Sequence, residues 1–326
     1  MKSRLPKLTV VVPCYNEESA LPVSYPLFAG ELSLMTDAGL ASPESGVLFV
    51  DDGSSDATWR TICDIASRDR RFAGIRQSRN RGHQCALWAG LMEARALGCD
   101  ATITIDCDGQ DDVHAMTEMM REYAKGADIV YGVRGDRKSD AFFKRFTAET
   151  FYRLQAAMGV EAVFNHADYR LLSARALDAL SEFQETNLYL RGMVPLVGFR
   201  SSKVFYTRKE RLAGKSHYPF LKMFGFAADG ITSLSIKPIR LISLFGALVS
   251  LLASVMGVWS LVSWARGTVV RGWTSEVVCI CLLGGIQILS LGIIGEYIGK
   301  IYLETKRRPR AIISDRTWRQ EPEDGQ

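Results

Sequence analysis

Short apolar runs alternate with amphipathic stretches along the first half of the chain. The runs rich in β-branched residues, which predict buried strands, are residues 8–13, 47–50, 72–76, 101–105 and 129–133. Helical periodicity lies between them: after a polar turn up to about residue 38, and then at 57–67 and 82–97. Strands that alternate with helices in this way predict an α/β domain, with a mostly parallel sheet and helices on both of its faces.

Two long apolar runs replace the short ones in the last third of the chain. Residues 241–264 carry no charge, and residues 277–294 carry Gln287 as their one strongly polar side chain. A bilayer core of about 30 Å requires about 20 apolar residues in a helix, so both runs are long enough to span a membrane. The alternative is a pair of buried helices in a soluble core, but such core runs usually have about 10–14 residues.

Basic residues flank the two apolar runs and predict their orientation. Lys237 and Arg240 precede the first run, Arg266 and Arg271 lie in the connection, and the second run is followed by Lys300, Lys306, Arg307, Arg308 and Arg310. The positive-inside rule therefore favours a multi-pass membrane protein with two cytoplasmic termini. The seven scattered cysteines, without a CxxC motif, agree with a reducing cytosolic compartment for the soluble part.

The pattern divides the chain into four parts. We predict a soluble α/β domain at residues 1–217 and a juxtamembrane interfacial helix at 218–238. A two-helix transmembrane hairpin follows at 239–303, and a basic, then disordered, cytosolic tail at 304–326 completes the prediction.

Polar residues directly follow three of the predicted strands. The segment Tyr15–Glu17 comes after the first strand, the segment 51–54 (DDGS) after the second, and Asp106 and Asp108 after the strand at 101–105. In α/β sheets ligands bind beyond the carboxyl ends of the strands. The coincidence of the three groups predicts one ligand site at this edge of the sheet.

The Asp-Cys-Asp triplet at 106–108 offers two carboxylates to one cation. Hard oxygen ligands suit Mg²⁺ or Mn²⁺, and Mg²⁺ commonly takes one or two carboxylates together with substrate phosphates. The carboxylates of the segment 51–54 suit hydrogen bonds from a base or a ribose. For both this segment and the triplet, the alternative is a solvated turn at a strand end. Glu17 is assigned to the ligand site, and Glu18 to a helix N-terminus, where the macrodipole favours an acidic residue.

A basic loop containing glycine precedes the first long apolar run. Its sequence, RKERLAGKSHY, supplies side chains suited to phosphate binding, namely Arg208, Lys209, Arg211, Lys215 and Ser216. The alternative is a basic patch that faces anionic lipid. Phosphate binding and lipid binding are compatible here, because the phosphate of a lipid acceptor lies at the depth of the lipid headgroups. His83 and His217 are isolated in the sequence, and no zinc, P-loop or dinucleotide motif is placed to suggest another enzyme class.

Seven segments carry a resemblance to a known family. In chain order they are VVPCYNEE, VDDGSSDAT, RNRGHQCAL, DCDGQ, HADYRLLS, ERLAGKSHY and GGIQILSLGIIGEYIGKIYLETKRRP. The chain resembles the family 2 glycosyltransferases that charge polyprenyl phosphates, the group of dolichol-phosphate mannose synthase and the bacterial bactoprenol (undecaprenyl-phosphate) glucosyltransferases. The resemblance covers about residues 8–309, and its last segment is the most specific part.

The resemblance implies a GT-A fold, a Rossmann-like domain that binds a nucleotide-sugar. It implies donor contacts by Pro13, Tyr15, Glu17, Asp52 and Asp106. It implies that Mg²⁺ or Mn²⁺ is held by Asp108, Gln110 and Asp106. It implies phosphate contacts by Arg134 and Arg211, which join Arg208, Lys215 and Ser216 of the basic loop as the predicted phosphate ligands. The catalytic residues that it implies are Asp168, at the position of the family's base, with Asp108 and Arg211.

Two segments depart from the family pattern. The family's DxDLQ, followed by Asp-Pro-Pro, reads DCDGQDDVH here, with Gly109 in place of the leucine. The family's Gly-x-Ser-Lys-Tyr has His217 in place of the lysine, so that a titratable imidazole replaces a fixed cation, with Lys215 beside it to compensate.

The expected activity is inverting transfer of a hexose, glucose first, from a UDP-sugar to undecaprenyl phosphate on the cytosolic membrane face. The alternatives are another donor (GDP-mannose, UDP-GlcNAc or UDP-galactose), a glycolipid acceptor with a free hydroxyl, and a non-catalytic nucleotide-sugar-binding scaffold. Further expected partners are membrane lipid, copies of the chain in a homo-oligomer such as a tetramer, and a downstream flippase and membrane glycosyltransferase. The net charge is only +4, and no nucleic-acid partner is predicted.

Overall fold

The computed structural model describes residues 4–135, 166–186, 188–207 and 273–318, together with individual positions between 239 and 266. The chain divides into two compact units. The first consists of Met1–Tyr152, Glu161–Pro219 and Arg308–Gln326, and the second of Arg153–Val160 and Phe220–Arg307. The first unit contains the sheet, and the second contains the long apolar helix.

A mostly parallel sheet of eight strands forms the centre of the first unit's described residues. The strands are β1 (Leu8–Cys14), β2 (Gly46–Asp51), β3 (Phe72–Gln77), β4 (Ala101–Thr104), β5 (Ile129–Arg134), β6 (His166–Ser173), β7 (Ser201–Tyr206) and β8 (Ile313–Arg316). Their order across the sheet is β7-β5-β6-β4-β1-β2-β3-β8. In this sheet β6 is antiparallel to β4 and β5, β8 is antiparallel to β3, and the remaining pairs are parallel.

Helices cover both faces of this sheet. The helices of one face are α1 (Leu21–Asp37), α2 (Thr58–Arg68) and α4 (Ala115–Ala124). Those of the other face are α3 (His83–Ala96), α5 (Ala174–Ser181) and α6 (Leu190–Leu196). Val10 and Val12 of β1 belong to the first core and Val11 belongs to the second, because alternate side chains of a strand point to opposite faces. The predicted α/β fold with a mostly parallel sheet is confirmed.

The predicted secondary structure of the first half is confirmed closely. Each of the five predicted strands is present, and its end differs from the predicted one by one residue. The helices α1, α2 and α3 also lie where the periodicity places them. The elements α4, α5, α6, β6, β7 and β8 were not predicted.

Within the predicted basic, then disordered, tail at 304–326, residues 313–316 form β8. The sequence of β8, Ile-Ser-Asp-Arg, is too polar to signal a strand, but β8 lies at the sheet edge, where one side faces solvent. Its pairing with β3 continues at Thr317, whose backbone N–H donates to the carbonyl of Gly74 at 3.0 Å. The first unit therefore includes residues that follow the apolar runs, beyond the predicted boundary at 217.

The second unit contains α7 (Trp273–Thr305), a helix of 33 residues. Within the described part of the chain, its stretch Ile286–Thr305 is long and apolar enough to cross a membrane, and it is the one such stretch found there. The described positions between 239 and 262 are also helical, but the second span of the predicted hairpin is not confirmed. The predicted interfacial helix at 218–238 lies outside the described residues.

Gly90 allows α3 to approach the sheet closely, and we expect Gly90→Ala to destabilise the protein. A Cβ at this position would lie 2.3 Å from Val11 Cγ1 and 2.7 Å from Val50 Cγ2. Overpacking of this kind costs about 1–3 kcal/mol, which outweighs the helix propensity of alanine. Gly30→Ala in α1 is the matched control, because nothing lies within 4 Å of its Cβ position, and it should raise the unfolding temperature slightly. Thermal unfolding of both variants would test this expectation. Equal shifts of the unfolding temperature in Gly90→Ala and Gly30→Ala would contradict it.

Candidate active site

The loops that follow β1 and β2 are joined to each other by hydrogen bonds. The backbone N–H of Asn16 donates to Ser54 Oγ at 2.9 Å, and that of Glu17 donates to Thr58 Oγ1 at 2.8 Å. Asn16 adopts a positive φ of 55°, which turns the chain sharply after β1. This turn leaves Tyr15 47% exposed and Glu17 half-buried, while Pro13 is buried in β1.

Glu18 does not lie in the first turn of α1, which begins at Leu21. Its Oε2 instead accepts the backbone N–H of Ala57 at 2.9 Å, just before α2. The prediction that Glu18 supports the N-terminus of the helix that follows it is therefore wrong. The carboxylate satisfies a donor at the start of the next helix, which sequence spacing alone does not reveal.

Asp52, predicted to contact the donor, is buried and already accepts three hydrogen bonds. Its Oδ1 accepts from Gln77 Nε2 at 3.0 Å and from the backbone N–H of Arg81 at 2.8 Å, and its Oδ2 accepts from the backbone N–H of Gly82 at 2.9 Å. Burial raises the pKa of Asp52, although the two backbone donors oppose this. In this structure Asp52 fixes the loop that leads into α3, and its donor contact stays a prediction.

Asp106 and Asp108 lie just after β4, in the tight turn that precedes Gln110. The backbone N–H of Gln110 donates to Asp108 Oδ1 at 3.1 Å, and Gly109 has a positive φ of 68°. Burial raises the pKa of Asp106, and the negative charges of Asp111, Asp168 and Asp108 raise it further against the opposing effect of His83. Carboxylates that raise one another's pKa mark a place where a cation would relieve repulsion.

Asp168, near the start of β6, is buried and surrounded by cationic and amide groups. Arg191 donates from Nη2 to Oδ2 at 2.9 Å and from Nε to Oδ1 at 3.3 Å, and Arg170 donates from Nη2 to Oδ1. Gln84 Nε2 donates to Oδ2 at 3.3 Å, and His83 Nε2 lies 3.5 Å from the same oxygen. Burial alone would raise the pKa of Asp168, but Arg191, His83 and Arg170 hold it well below its usual range.

His83, which appears isolated in the sequence, lies between two carboxylates. Its Nε2 is 3.5 Å from Asp168 Oδ2 and 3.8 Å from Asp106 Oδ1. Burial alone would lower the pKa of His83, but the hydrogen bond to Asp168 and the charges of Asp106 and Asp168 raise it above its ordinary value. Although His83 is isolated in the sequence, in the fold its imidazole connects the acidic turn after β4 to Asp168.

Arg134, predicted to contact phosphate, lies at the end of β5 beside a second buried acid. Its Nη2 is 4.0 Å from Asp111 Oδ1, and its Nε donates to the hydroxyl of Tyr206 at 3.4 Å. The Tyr206 hydroxyl in turn donates to Asp111 Oδ1 at 2.8 Å. Arg134 therefore lies in the same acidic region as Asp106. The other predicted phosphate ligands lie outside the described residues, and these are Arg208, Arg211, Lys215 and Ser216.

The described part of the chain contains no group of three or more His, Cys, Asp or Glu side chains placed to hold a metal ion. Asp106 and Asp108 supply two carboxylates, and Gln110 an amide oxygen. This donor set fits Mg²⁺ or Mn²⁺ if substrate phosphates complete the coordination, as is common for Mg²⁺. The raised pKa of Asp106 agrees with such a fit, because a cation stabilises the ionised form.

We expect Asp106→Asn to stabilise the protein in a chelator at about pH 8 and much less at about pH 4. The folded pKa of Asp106 is raised, so wild type loses stability as pH rises from the unfolded value of about 3.9 through the folded one. An asparagine has no charge to ionise and avoids this loss. Thermal unfolding in EDTA at both pH values is the measurement, with the exposed Glu118→Gln as control. Equal melting of Asp106→Asn and wild type at pH 8 would contradict the expectation.

Comparison with known protein families identifies the class of enzyme to which this site belongs. The pattern described as "Glycosyl transferase family 2" matches residues 9–181, more than half of the chain. The chain belongs to glycosyltransferase family 2. A second pattern, "GtrB C-terminal hairpin", matches residues 237–301, which include most of α7. The family 2 resemblance and the prediction of a glycosyltransferase enzyme are therefore confirmed.

This family 2 protein is similar over nearly its whole length to named bacterial and phage proteins. The uncharacterized glycosyltransferase YkoT of Bacillus subtilis is 45% identical, over 96% of this chain and 93% of YkoT. The bactoprenol glucosyl transferase of Shigella phage SfX is 36% identical, over 95% of this chain and 99% of that protein. The prophage bactoprenol glucosyl transferase homolog of Escherichia coli is 37% identical, over 94% of this chain and 98% of that protein.

Proposed function

We propose that the protein transfers a hexose, glucose first, from a UDP-sugar to undecaprenyl phosphate at the cytosolic face of a bacterial inner membrane, with inversion of the anomeric carbon. The observation that carries this proposal is the cluster at the strand ends, where the acidic turn 106–108 faces Asp168 through His83. The family membership supplies the reaction class. The polyprenyl-phosphate acceptor is suggested by relatives named bactoprenol glucosyl transferases and by the match to the C-terminal hairpin pattern.

On the donor side, Tyr15, Glu17 and Asp106 would line the place of the nucleotide, since all three lie beyond the ends of β1 and β4. Asp106, Asp108 and Gln110 would hold the divalent cation. When bound, such a cation neutralises the charge that develops on a leaving diphosphate. Asp52 would act indirectly, by fixing the loop before α3.

Asp168 would act as a positioning group rather than as a base. A carboxylate with a strongly lowered pKa is a weak base near neutral pH, where the best general bases have a pKa close to the working pH. A phosphate monoester has a second pKa of about 6, so the acceptor is already largely a dianion and needs little activation. Asp168 would instead orient Arg191, whose half-buried guanidinium suits bidentate binding of a phosphate.

The product of this reaction would be a lipid-linked hexose on the cytosolic side. A polar sugar does not cross the bilayer core unaided, so a flippase and a membrane glycosyltransferase would have to act downstream. Membrane lipid would be a further partner through α7. Assembly into a homo-oligomer and a second membrane span remain parts of the proposal.

The proposal is tested by mixing membranes that contain the protein with radiolabelled UDP-glucose, UDP-galactose, UDP-GlcNAc or GDP-mannose. We expect label from UDP-glucose to enter a lipid that mild acid cleaves, as a glycosyl phosphate would be. Label in an acid-stable glycolipid would indicate a hydroxyl acceptor instead. No lipid label from any donor would contradict the proposal, and membranes without the protein provide the background.

A further inference from the structure

Two buried tyrosines hold the segment that joins the acidic turn to α4. The hydroxyl of Tyr206, at the end of β7, donates to Asp111 Oδ1 at 2.8 Å. The hydroxyl of Tyr169, in β6, donates to the backbone carbonyl of Asp112 at 3.0 Å. We call Tyr169 and Tyr206 the tyrosine pair. Two consecutive residues of one short segment are thus bonded to two strands that follow it by 95 and 57 residues in the chain.

The tyrosine pair packs as one unit inside the protein. The rings of Tyr169 and Tyr206 meet edge to face with their centroids 5.2 Å apart, and both residues are buried. Edge-to-face contact is a preferred arrangement of aromatic rings. Gly132 of β5 leaves room for it, because a Cβ at this position would lie 2.8 Å from the carbonyl oxygen of Tyr169 and 3.2 Å from its ring. Neighbouring strands therefore fix the position of both hydroxyls.

The carboxylate of Asp111 is buried and meets a cation as well as a tyrosine. Arg134 Nη2 lies 4.0 Å from the Oδ1 atom that accepts from Tyr206, and Arg134 Nε donates to the Tyr206 hydroxyl at 3.4 Å. Burial and the charge of Asp111 raise the pKa of Tyr206, so that the hydroxyl keeps its proton and remains a donor near neutral pH. A carboxylate is costly to bury unless donors and cations surround it, so these contacts restrict where Asp111 can lie.

The candidate cation ligands lie at the start of the same segment. Asp108 and Gln110 precede Asp112 by four and two residues. Between them, Gly109 has a positive φ of 68°, and the backbone N–H of Gln110 donates to Asp108 Oδ1 at 3.1 Å. A glycine leaves the backbone free to adopt several conformations. The direction of the two ligand side chains therefore depends on contacts made outside the turn, and the tyrosine pair supplies two of them.

We propose that the tyrosine pair preorganises the cation site, because by holding Asp111 and Asp112 it fixes the direction in which Asp108 and Gln110 present their oxygens to Mg²⁺ or Mn²⁺. This inference rests on the proposed function, which assigns the cation to these side chains. The two tyrosines are positioning residues, since they act through the held segment and not on a substrate. Ligands that are fixed beforehand lose less conformational freedom on binding, which raises affinity.

The test is the binding of Mn²⁺ to the full-length protein in detergent with UDP present, measured from the electron paramagnetic resonance signal of free Mn²⁺. The same mixture without protein gives the Mn²⁺ held by UDP alone. We expect Tyr206→Phe and Tyr169→Phe each to raise the apparent Kd for Mn²⁺ by about threefold to tenfold, the size associated with the loss of one hydrogen bond. Tyr206→Phe also removes a contact with Arg134, whereas Tyr169→Phe removes a bond to a backbone carbonyl. A rise in both variants assigns the effect to the held segment.

Tyr123→Phe is the matched control. Tyr123 lies in α4, and its hydroxyl donates to the backbone carbonyl of Asp100 at 3.3 Å, just before β4 begins. The substitution removes the same kind of bond as Tyr169→Phe, but at the opposite end of β4 from the acidic turn, so the Kd for Mn²⁺ should stay at the wild-type value. The unfolding temperature of each variant in EDTA records any loss of stability separately from binding.

The possible results distinguish the positioning role from the proposed function. A wild-type Kd in both Tyr206→Phe and Tyr169→Phe would overturn the positioning role, even if their unfolding temperatures fall, and would leave the proposed function standing. A rise in Tyr206→Phe alone would assign the effect to Arg134 and overturn the role of the pair, and so would an equal rise in Tyr123→Phe. If the wild-type protein binds no Mn²⁺ beyond that held by UDP, the cation assignment of the proposed function fails, and the positioning role fails with it.

Discussion

We expect Asp108→Ala to lower turnover by at least about 100-fold at saturating Mg²⁺ or Mn²⁺, in the range found when one group that stabilises transition-state charge is removed. Asp108 follows β4 in the acidic turn, and its carboxylate would hold the cation that neutralises the leaving diphosphate. The loss should appear in kcat more than in the KM for the acceptor, because the acceptor is not bound by this side chain. Steady-state kinetics with membranes and labelled donor would measure it.

The matched control for this variant is Asp178→Ala. Asp178 is an exposed carboxylate of α5 that pairs with Arg95. The Asp178→Ala variant should retain wild-type turnover. Wild-type turnover in Asp108→Ala would rule out the assignment of Asp108 to the cation.

Replacement of the Asp168 partners has the second largest expected effect. Arg191→Ala should lower kcat by about 100-fold to 1000-fold, if its guanidinium stabilises a phosphate in the transition state. Its cost in stability should be smaller than that of Asp168→Ala, because Arg191 is partly exposed and Arg170 still pairs with Asp168. Arg175→Ala, which removes an exposed arginine paired with Asp128, is the control and should leave kcat unchanged.

Asp168→Ala should lower both activity and stability, which distinguishes it from Arg191→Ala. Arg170 is 2% exposed and would be left as a buried cation without its carboxylate. Breaking a buried ion pair in this way costs about 3–5 kcal/mol. Denaturant unfolding of the two variants would separate the effects. Equal stability of Asp168→Ala and wild type would show that Arg170 does not depend on Asp168.

The sequence predicts the strands whose residues form a mostly apolar run and misses those in which charged or polar residues interrupt the apolar pattern. Residues 101–105 read as a strand because every side chain is apolar or β-branched. In β6, Asp168 and Arg170 interrupt the apolar pattern, although they neutralise each other inside the protein. In β8 the pattern is polar because the strand lies at an edge. Charge pairing and edge position both arise from the tertiary fold, and a local pattern does not record them.

Some residues of the candidate site can likewise be predicted from the sequence, and others cannot. Residues that follow strands, such as Asp106 and Asp108, are found from the sequence because the strand ends of a parallel sheet share one edge. The roles of His83 and Arg191 cannot be found from the sequence, because their common partner Asp168 is distant in the chain. The hydrogen bond between Gln84 and Asp168, for example, joins positions 84 residues apart. The antiparallel direction of β6 brings Asp168 to the carboxyl end of β4.

The late position of β8 in the chain has a consequence for biosynthesis. A ribosome makes the chain from the N-terminus, so β3 is complete long before residues 313–316 emerge. Until then β3 is an uncovered sheet edge, which is a template for pairing with other chains. The apolar helix α7 is synthesised in the interval. The domain can therefore close its sheet only after the hydrophobic segment has left the ribosome, and nascent chains that stall before β8 are the species most exposed to aggregation.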